Sequence, residues 1–501
     1  MKTKMQSPLP IIFIISLSLV LVAMVSQSGS GRVNAEISTI LSTYPNWFYN
    51  GNISGENMGS AVSGVGDVNG DGKADVLVGA QKFTLSQYRE GAAFLFFSTG
   101  GGLSAFPDWT MGGGQQGSMY GCALSGLGDV DGDGFDDIVV GACEHNDPLD
   151  SKLTKSGAAF VYYGANNFAA KTVADWHYFG DQVDERLGSA VNTAGDINQD
   201  GFADLILGAP YSNKLDEPTL TKNGKVLVFF GSKDGLSADP DWSAAGEVNG
   251  AMLGSSVASA GDTEKDGYAD IIVGAPRPTN VGYAHVFSNV SGVLESDPSW
   301  SVTNERSGSW FGSAVAGVGD VNKDGYDDVL VGAPYEKELI DEIYQPAGCV
   351  YLYLGSPDGL VTTPSWRKCS NQPGGMFGAS VAAAGDMNKD GYADFLVGMP
   401  FYSISNEKQG AIFLFFGSSG SIGVKGDYFE STYGNKAETE FGTSVSSAGD
   451  VNNDGLLDVI VGAPNYKASG SRVGRAMTYY AGIPGIPDVE IFTVFLPNIL
   501  K

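Results

Sequence analysis

One acidic string recurs along this chain and constrains its fold more than any other feature. The string reads Asp-x-[Asn/Asp/Glu]-x-Asp-Gly-x-x-Asp and occurs seven times, with a mean spacing of about 64 residues. The seven copies begin at Asp67, Asp129, Asp196, Asp262, Asp320, Asp386 and Asp450. A fixed period of this kind predicts that each repeat is one supersecondary unit, which buries its apolar faces against its neighbours.

Each copy of the string has the same surroundings. An apolar residue followed by glycine precedes it, as in Phe311-Gly312, and an apolar run that ends in Gly-Ala-Pro or a near variant follows it, as in Leu205 to Pro210. A third segment is rich in Ala, Phe, Val and Tyr, and a fourth is anchored by an aromatic residue. Short β-prone runs between Gly, Asn, Asp and Pro turns predict antiparallel strands. Seven units of four strands predict an all-β fold, a seven-bladed β-propeller with four-stranded antiparallel blades.

The aromatic residue of the fourth segment indicates how such a ring would close. A tryptophan stands 12 residues before the glycine of the next apolar-Gly pair in most repeats, and Tyr428-Phe429 lies near the matching place in the sixth. Trp47 has the same spacing to Gly59, although no repeat precedes it, and no such aromatic follows the third strand of the seventh copy. We therefore predict that Tyr44 to Asn50 supplies the missing strand of the last blade, because closure hides an exposed sheet edge. The alternative is that Trp47 belongs to an unrelated lead-in strand.

The apolar-Gly pair, the acidic string and Gly-Ala-Pro together resemble the FG-GAP repeats of integrin α subunits. The resemblance covers about residues 44–482, nearly all of the chain after its first segment. It implies the N-terminal β-propeller of those subunits and a role in cell adhesion. The match is partial, because integrin α subunits continue into stalk domains and a membrane helix, and they usually keep the calcium motif in only some blades. All seven repeats retain it here.

The acidic strings have the chemistry of calcium sites. Calcium takes six to eight oxygen ligands, and Gly at position 6 permits the sharp turn that brings side chains 1, 3 and 5 together, with the carbonyl of position 7 and a carboxylate at position 9. None of these ligand positions is Cys or His, which argues against zinc. We expect up to seven Ca²⁺. The predicted ligands are Asp67, Asn69, Asp71, Lys73, Asp75; Asp129, Asp131, Asp133, Phe135, Asp137; Asp196, Asn198, Asp200, Phe202, Asp204; Asp262, Glu264, Asp266, Tyr268, Asp270; Asp320, Asn322, Asp324, Tyr326, Asp328; Asp386, Asn388, Asp390, Tyr392, Asp394; and Asp450, Asn452, Asp454, Leu456, Asp458.

The alternative for some loops is a plain Asx-turn without metal. The fourth copy departs most from the pattern, because Glu264 is one methylene longer than Asp or Asn and Lys265 follows it. A chain with a net charge of −28 also suits a binder of cations, and it repels nucleic acid.

The first residues predict export. A basic start, an apolar stretch and a small-x-small site are typical of a signal peptide over residues 1–35, with an uncleaved anchor as the alternative. We assign the propeller to residues 36–482 and a C-terminal tail to residues 483–501, and we expect a secreted, extracellular protein with no membrane span in the mature chain. Two N-glycosylation sequons would matter in such a protein, Asn52-Ile53-Ser54 and Asn289-Val290-Ser291.

Four cysteines in a secreted chain suggest disulfides. Each of two pairs, Cys122 with Cys143 and Cys349 with Cys369, spans one predicted hairpin, so these are the pairings we favour. Four cysteines allow three pairings, and buried free thiols are the alternative.

Three functions remain open on the sequence. The first is an extracellular recognition or adhesion module for a protein or glycan of unknown identity. Its binding loops would lie opposite the acidic strings, and the longest are Cys143 to Ser156, Tyr211 to Asn223 and Tyr335 to Ala347. The second is a polysaccharide lyase or hydrolase that uses paired carboxylates such as Asp341 and Glu342, although no nucleophile elbow or P-loop is present. The third is a structural surface or matrix component. We favour binding over catalysis and name no catalytic residue.

Overall fold

The computed structural model describes residues 40–42, 44–214, 221–340, 342–404, 407–419 and 439–482. The chain divides into two units, Met1–Ser38 and Thr39–Lys501, and every described residue belongs to the second. Its strands account for nearly all regular structure, beside one 3₁₀ turn at Phe168–Ala170. None of the described residues form a helix with the length and hydrophobicity of a membrane span.

The strands form seven antiparallel blades in a propeller ring, and we number the blades in the order of their acidic strings. The blades comprise, in order, Met58–Gly66, Asp75–Ala80, Ala92–Phe96 and Trp109–Gly112; Tyr120–Gly128, Asp137–Ala142, Ala158–Tyr162 and Trp176–Phe179; Ala190–Gly195, Asp204–Ala209, Lys225–Phe229 and Trp242–Ala245; Ser256–Gly261, Asp270–Ala275, Tyr283–Phe287 and Trp300–Thr303; Ala314–Gly319, Asp328–Ala333, Cys349–Tyr353 and Trp366–Cys369; Ser380–Gly385, Asp394–Met399 and Ala411–Phe415; and Ser444–Gly449, Asp458–Ala463, Arg475–Tyr479 and Trp47–Asn50. The predicted fold class is confirmed. The predicted position of Tyr428-Phe429 in blade 6 lies outside the described residues.

In blades 1 to 6 the strands pair in sequence order with the first strand innermost, whereas in blade 7 the outermost strand, Trp47–Asn50, comes before the other three in the chain. The first strands of all seven blades line a central cavity of about 630 Å³, mostly with small Ala, Ser, Val and Gly residues. The second strands are buried along their whole length in every blade, which explains their continuous apolar composition.

The segment before the first repeat closes the ring, as predicted. Trp47–Asn50 pairs antiparallel with Arg475–Tyr479 of blade 7, with Trp47 opposite Thr478. The Trp47 indole donates a hydrogen bond from Nε1 to the carbonyl oxygen of Ser104 in blade 1, at 2.8 Å. The closing strand therefore joins blade 7 to blade 1 and covers an edge that would otherwise be exposed.

The two glycines of each repeat meet across every blade interface. A β-carbon on Gly141 of blade 2 would lie 2.1 Å from the carbonyl oxygen of Gly188, which opens blade 3. Gly188 itself has φ +76°, and a β-carbon there would lie 2.3 Å from the carbonyl oxygen of Ala158. Neither position has room for a side chain, so the apolar-Gly and Gly-Ala-Pro glycines are required by the close approach of neighbouring blades.

The cysteines behave differently in the two predicted pairs. Cys349 and Cys369 are cross-strand neighbours in blade 5 and form a disulfide. The structure shows no bond between Cys122 and Cys143. They are nevertheless adjacent, because the Cys143 backbone N–H donates to Cys122 Sγ at 3.1 Å. A bond between them stays a prediction for oxidising conditions.

Candidate metal-binding loops

The seven acidic strings form equivalent loops between the first and second strands, so all lie at the same end of the ring, which we call the acidic end. In each loop the residues at positions 4 and 6 have positive φ, for example +62° at Lys323 and +92° at Gly325 in blade 5. Position 6 is glycine in all seven loops, where this conformation carries no steric cost. The repeated glycine thus fixes a sharp turn that directs the side chains of positions 1, 3 and 5 to one side.

The first carboxylate of each loop organises the turn around itself. Asp320 Oδ1 accepts the backbone N–H of Asp324 at 3.0 Å, and Asp320 Oδ2 accepts that of Gly325 at 2.7 Å. The third position contributes in the same way, because Asn322 Oδ1 accepts the Asp324 N–H at 3.0 Å. These are Asx-type turns, and they hold the oxygen atoms of positions 1, 3 and 5 close together. A plain Asx-turn and a metal-binding loop would therefore have the same backbone geometry at these positions.

The ninth residue has a distinct role that its spacing alone did not indicate. The side chain of Asp137 is fully buried, and its two oxygens accept backbone N–H groups from Val130, at 2.7 Å, and from Gly164 after the third strand, at 2.6 Å. Burial raises the pKa of Asp137 to about 8, helped by the neighbouring Asp131 and Asp129. The same two hydrogen bonds recur in all seven blades. The ninth carboxylate thus ties the loop to the third strand.

Loop 2 brings its carboxylates closest together. Oxygen atoms of Asp129, Asp131 and Asp137 all lie within 4.8 Å of one another. The pKa of Asp131 is raised, first by burial and then by the charge of Asp133. Like charges held this close repel one another, and a bound cation would relieve that repulsion. The oxygen donor set fits a hard cation such as Ca²⁺.

Loop 4 departs from the others at the residue that the sequence singled out. Glu264 Oε2 lies 2.6 Å from Thr263 Oγ1, which lies 2.6 Å from Asp270 Oδ2 as well. The Asp266 N–H therefore bonds to Asp262 Oδ1 and has no bond to the third side chain, unlike its counterparts. The longer Glu264 side chain bends toward the ninth residue, and burial together with Glu264 raises the pKa of Asp270 to about 8.

Neighbouring loops contact one another around the acidic end. Lys265 of loop 4 stacks over the ring of Tyr326 in loop 5 at 5.6 Å, and Lys323 of loop 5 stacks over Tyr392 in loop 6 at 5.3 Å. Sequence reasoning assigned these aromatic residues only a carbonyl ligand. In these two places the side chains at positions 4 and 7 instead connect one loop to the next, whereas position 4 is Gly70 in loop 1 and Gly132 in loop 2.

A second interloop contact involves position 8, which the sequence analysis did not consider. It is aspartate only in the second and fifth copies. Asp136 Oδ2 accepts the backbone N–H of Asp67 in the preceding loop at 2.7 Å, and Asp327 Oδ2 accepts that of Asp262 at 2.9 Å. The doubled Asp-Asp of these two copies was the signal that could have revealed the contact.

At the opposite end of the ring, buried carboxylates anchor the long loops. Glu336 is fully buried and bonds to Arg367 at 2.7 Å and to the Tyr351 hydroxyl. Beyond it a hairpin, Lys337–Ile340 with Ile343–Pro346, projects with Leu339 60 % exposed. The predicted loop Tyr335 to Ala347 therefore contains a paired hairpin with apolar side chains on its surface.

The carboxylates that the enzyme alternative gave as an example, Asp341 and Glu342, are described only in part. Asp341 lies outside the described residues, and Glu342 has a positive φ of +64° beside the hairpin turn. Glu336 and Glu338 lie near Cys349 and Cys369, but both cysteines are bonded to each other, so they are not available as thiolate ligands.

Comparison with known proteins agrees with this architecture. The FG-GAP repeat model matches seven segments, residues 58–96, 123–162, 187–229, 253–287, 311–353, 377–415 and 441–476. The chain is 32% identical over 223 residues to integrin alpha-5 of Xenopus laevis, covering 44% of this chain and 20% of that protein. It is 30% identical over 269 residues to integrin alpha-8 of Mus musculus, covering 52% and 24%, and 32% identical over 274 residues to integrin alpha-7 of Rattus norvegicus, covering 52% and 22%. The matched part is thus about a quarter or less of these relatives. The FG-GAP repeat model matches more than half of the residues of this chain. The chain therefore belongs to the FG-GAP repeat family, as an integrin α-like β-propeller.

Proposed function

We propose that this chain is a secreted, calcium-binding recognition or adhesion module for an extracellular protein or glycan. The observation that carries the proposal is the sevenfold repetition of one oxygen-rich turn at the acidic end. Positions 1, 3 and 5 of each turn present side-chain oxygens on one side, in the order that the calcium chemistry requires. The similarity of this chain to integrin α subunits supports the adhesion role.

The residues at positions 1, 3, 5 and 7 of each loop would hold the ion, with the ninth carboxylate beneath them. A bound Ca²⁺ supplies positive charge that offsets the repulsion between these carboxylates. The chain itself supplies the framework. The ninth aspartate fixes each loop to the third strand, and the contacts between positions 4 and 7 fix loop 4 to loop 5 and loop 5 to loop 6. Calcium at one loop therefore stabilises the ring as well as its own blade.

Ligand recognition then belongs to the opposite end of the ring. Loops on a rigid scaffold commonly carry binding, and the hairpin on Glu336 offers Leu339, Ile343 and Tyr344 on its surface. Leu149 in the loop of blade 2 is 92 % exposed. These apolar side chains, anchored by buried carboxylates, suit contact with a protein or with the apolar face of a sugar.

Calcium binding is tested by thermal melts in chelator, in calcium and in magnesium. A ligand that binds only the folded state adds about 1.4 kcal/mol per site at ten times its Kd. Several occupied sites would therefore raise the melting temperature strongly. Magnesium should substitute poorly, because it prefers a tighter octahedral shell. Identical curves in all three conditions would refute calcium binding.

Metal counting with a single-loop variant tests which residues bind. Asp133→Ala in loop 2 removes a ligand oxygen and should lower the calcium content of the dialysed protein by about one ion per chain. Asp150→Ala, in the exposed loop at the opposite end, is the matched control and should leave the content unchanged. Equal calcium content in both variants would remove loop 2 from the proposal.

The recognition role is tested by a glycan array and a protein-binding screen, beside an assay for new reducing ends. Binding without turnover supports recognition, whereas turnover supports a polysaccharide-acting enzyme. Assembly into large particles on addition of calcium, without a ligand, would instead support a structural component. Export is tested by N-terminal sequencing of the protein from culture medium, where the first residue should be Glu36.

A further inference from the structure

In blades 2 and 7 the outer strand fills the space against the next blade with a tyrosine ring, whereas Met111, Val302 and Lys368 hold the same place in blades 1, 4 and 5. At the interface of blades 2 and 3, the ring of Tyr178 packs on Phe229 with a centroid separation of 4.9 Å. At the interface of blades 7 and 1, Tyr49 packs on Phe96 at 5.0 Å. Each tyrosine stands two residues after the tryptophan that begins its strand. The same part of the interface is thus filled by a phenol ring in both places.

The interface of blades 3 and 4 has the same framework but lacks that ring. Trp242 contacts Phe287 at 4.9 Å in an edge-to-face arrangement, as Trp176 contacts Phe229 at 5.0 Å. The residue two places after Trp242 is Ala244, in the position of Tyr178. The geometry that surrounds a tyrosine at one interface therefore surrounds an alanine at the other.

A cavity of about 610 Å³ opens where the ring is missing. Ala244 and Leu253 line it from one side, and Tyr283, His285 and Phe287 line it from the third strand of blade 4. This volume lies within the range of small-molecule sites, about 300–1,000 Å³. It is larger than one aromatic side chain requires, so the adjoining backbone of a ligand could enter with the ring.

The walls combine aromatic surface and the imidazole of His285 with charged groups from Lys214, Glu247, Arg277 and Asp297. His285 lies 4.5 Å from the ring of Tyr283 and 6.2 Å from that of Phe287, between centroids. Its Nδ1 has no hydrogen-bond partner among the described residues. Burial lowers the pKa of His285 to about 4, so the imidazole is neutral at pH 7 and offers one donor and one acceptor. At the corresponding position blade 3 has Leu227, which needs no partner.

We propose that the cavity between blades 3 and 4 binds a phenol ring, supplied either by a tyrosine of a partner protein or by a free small phenol. The ring would occupy the space that Tyr178 occupies at the neighbouring interface, and its hydroxyl would bond to His285. Aromatic rings at centroid separations of 4.5–7 Å pack favourably, and a buried phenol hydroxyl needs a partner. The lining of this cavity includes none of the predicted calcium ligands.

The test uses p-cresol, Gly-Tyr-Gly and Gly-Phe-Gly as probes of the full chain, by calorimetry and NMR titration. We expect saturable binding of p-cresol, with toluene binding at least tenfold more weakly. Binding of Gly-Tyr-Gly, but not of Gly-Phe-Gly, would identify a tyrosine of a partner as the source, whereas binding of p-cresol alone would identify a free phenol. Absence of saturable binding by both phenols would overturn the proposal.

Two variants locate the site. Ala244→Tyr supplies the missing ring from the chain itself, so p-cresol should bind at least tenfold more weakly while the protein stays folded. His285→Leu recreates the residue of blade 3 and should abolish the preference for p-cresol over toluene. Undiminished binding in Ala244→Tyr would overturn the assignment.

Discussion

Replacing Trp47 with alanine tests whether the segment before the first repeat is a necessary part of the ring. Trp47 is 8 % exposed, its ring lies 4.8 Å from that of Phe96 in blade 1, and its Nε1 donates to the carbonyl of Ser104. Removing a buried tryptophan costs about 3–5 kcal/mol, because apolar burial is lost and a cavity remains. We expect Trp47→Ala to lose this amount of unfolding free energy.

The corresponding change in melting temperature is small because the domain is large. An entropy of unfolding of about 2.1 cal/mol/K per residue gives about 0.9 kcal/mol/K for a ring of this length. The expected decrease is therefore about 3–5 °C, measured by calorimetry at fixed calcium concentration.

Two controls make the result decisive. Trp300 has the same position within the ring, with 5 % exposure, a ring contact to Tyr353 at 5.0 Å and a hydrogen bond to the carbonyl of Val361. Trp300→Ala should therefore lower the melting temperature by a similar amount. Phe106 is 77 % exposed, and Phe106→Ala should change it little. If Trp47→Ala melts like Phe106→Ala while Trp300→Ala melts lower, the closing strand does not contribute to the cooperative fold.

Three further predictions concern other parts of the chain. Burial raises the pKa of Glu56 to about 7. The folded state therefore holds a proton that the unfolded state loses, and the free energy of unfolding falls as the pH rises from about 4.5 to 7. Glu56→Gln should raise the melting temperature more at pH 8 than at pH 5, and the control Glu305→Gln, at an exposed residue, should not. Mild oxidation should reduce the titratable thiols from two to none by joining Cys122 to Cys143 within one chain, and two remaining thiols would contradict this. Expression in a glycosylating host should add one N-linked glycan, at exposed Asn52 alone, which glycopeptide mass spectrometry would detect.

The sequence contains two N-glycosylation sequons, but we expect a glycan at only one, because the second is buried. Asn289 is fully buried, and its Nδ2 donates to the carbonyl oxygens of Ile197 at 2.6 Å and Ala269 at 3.2 Å. Both acceptors are distant in the sequence, one of them in blade 3. A three-residue motif specifies the chemistry of an acceptor site, whereas its exposure depends on the packing of neighbouring blades.

The sequence by itself determined the repeating unit, the number of blades and the closing strand. These features follow from local rules: strand and turn residues alternate within each repeat, glycine at position 6 fixes each acidic loop, and the spacing of Trp47 to Gly59 matches that within the repeats. Repetition strengthens such rules, because each copy is an independent instance of the same pattern.

Only the tertiary structure decided what happens between blades. The hydrogen bond from the Asp67 N–H to Asp136 and the burial of Glu336 depend on residues that the chain brings together over long sequence separations. The cavity beside His285 arises because Ala244 has no ring. This is recognised only by comparison with the neighbouring interface, where Tyr178 fills the equivalent space. Sequence periodicity specifies each blade through local backbone preferences, whereas the fit of one blade against the next is set by the sizes of side chains that meet only in the folded ring.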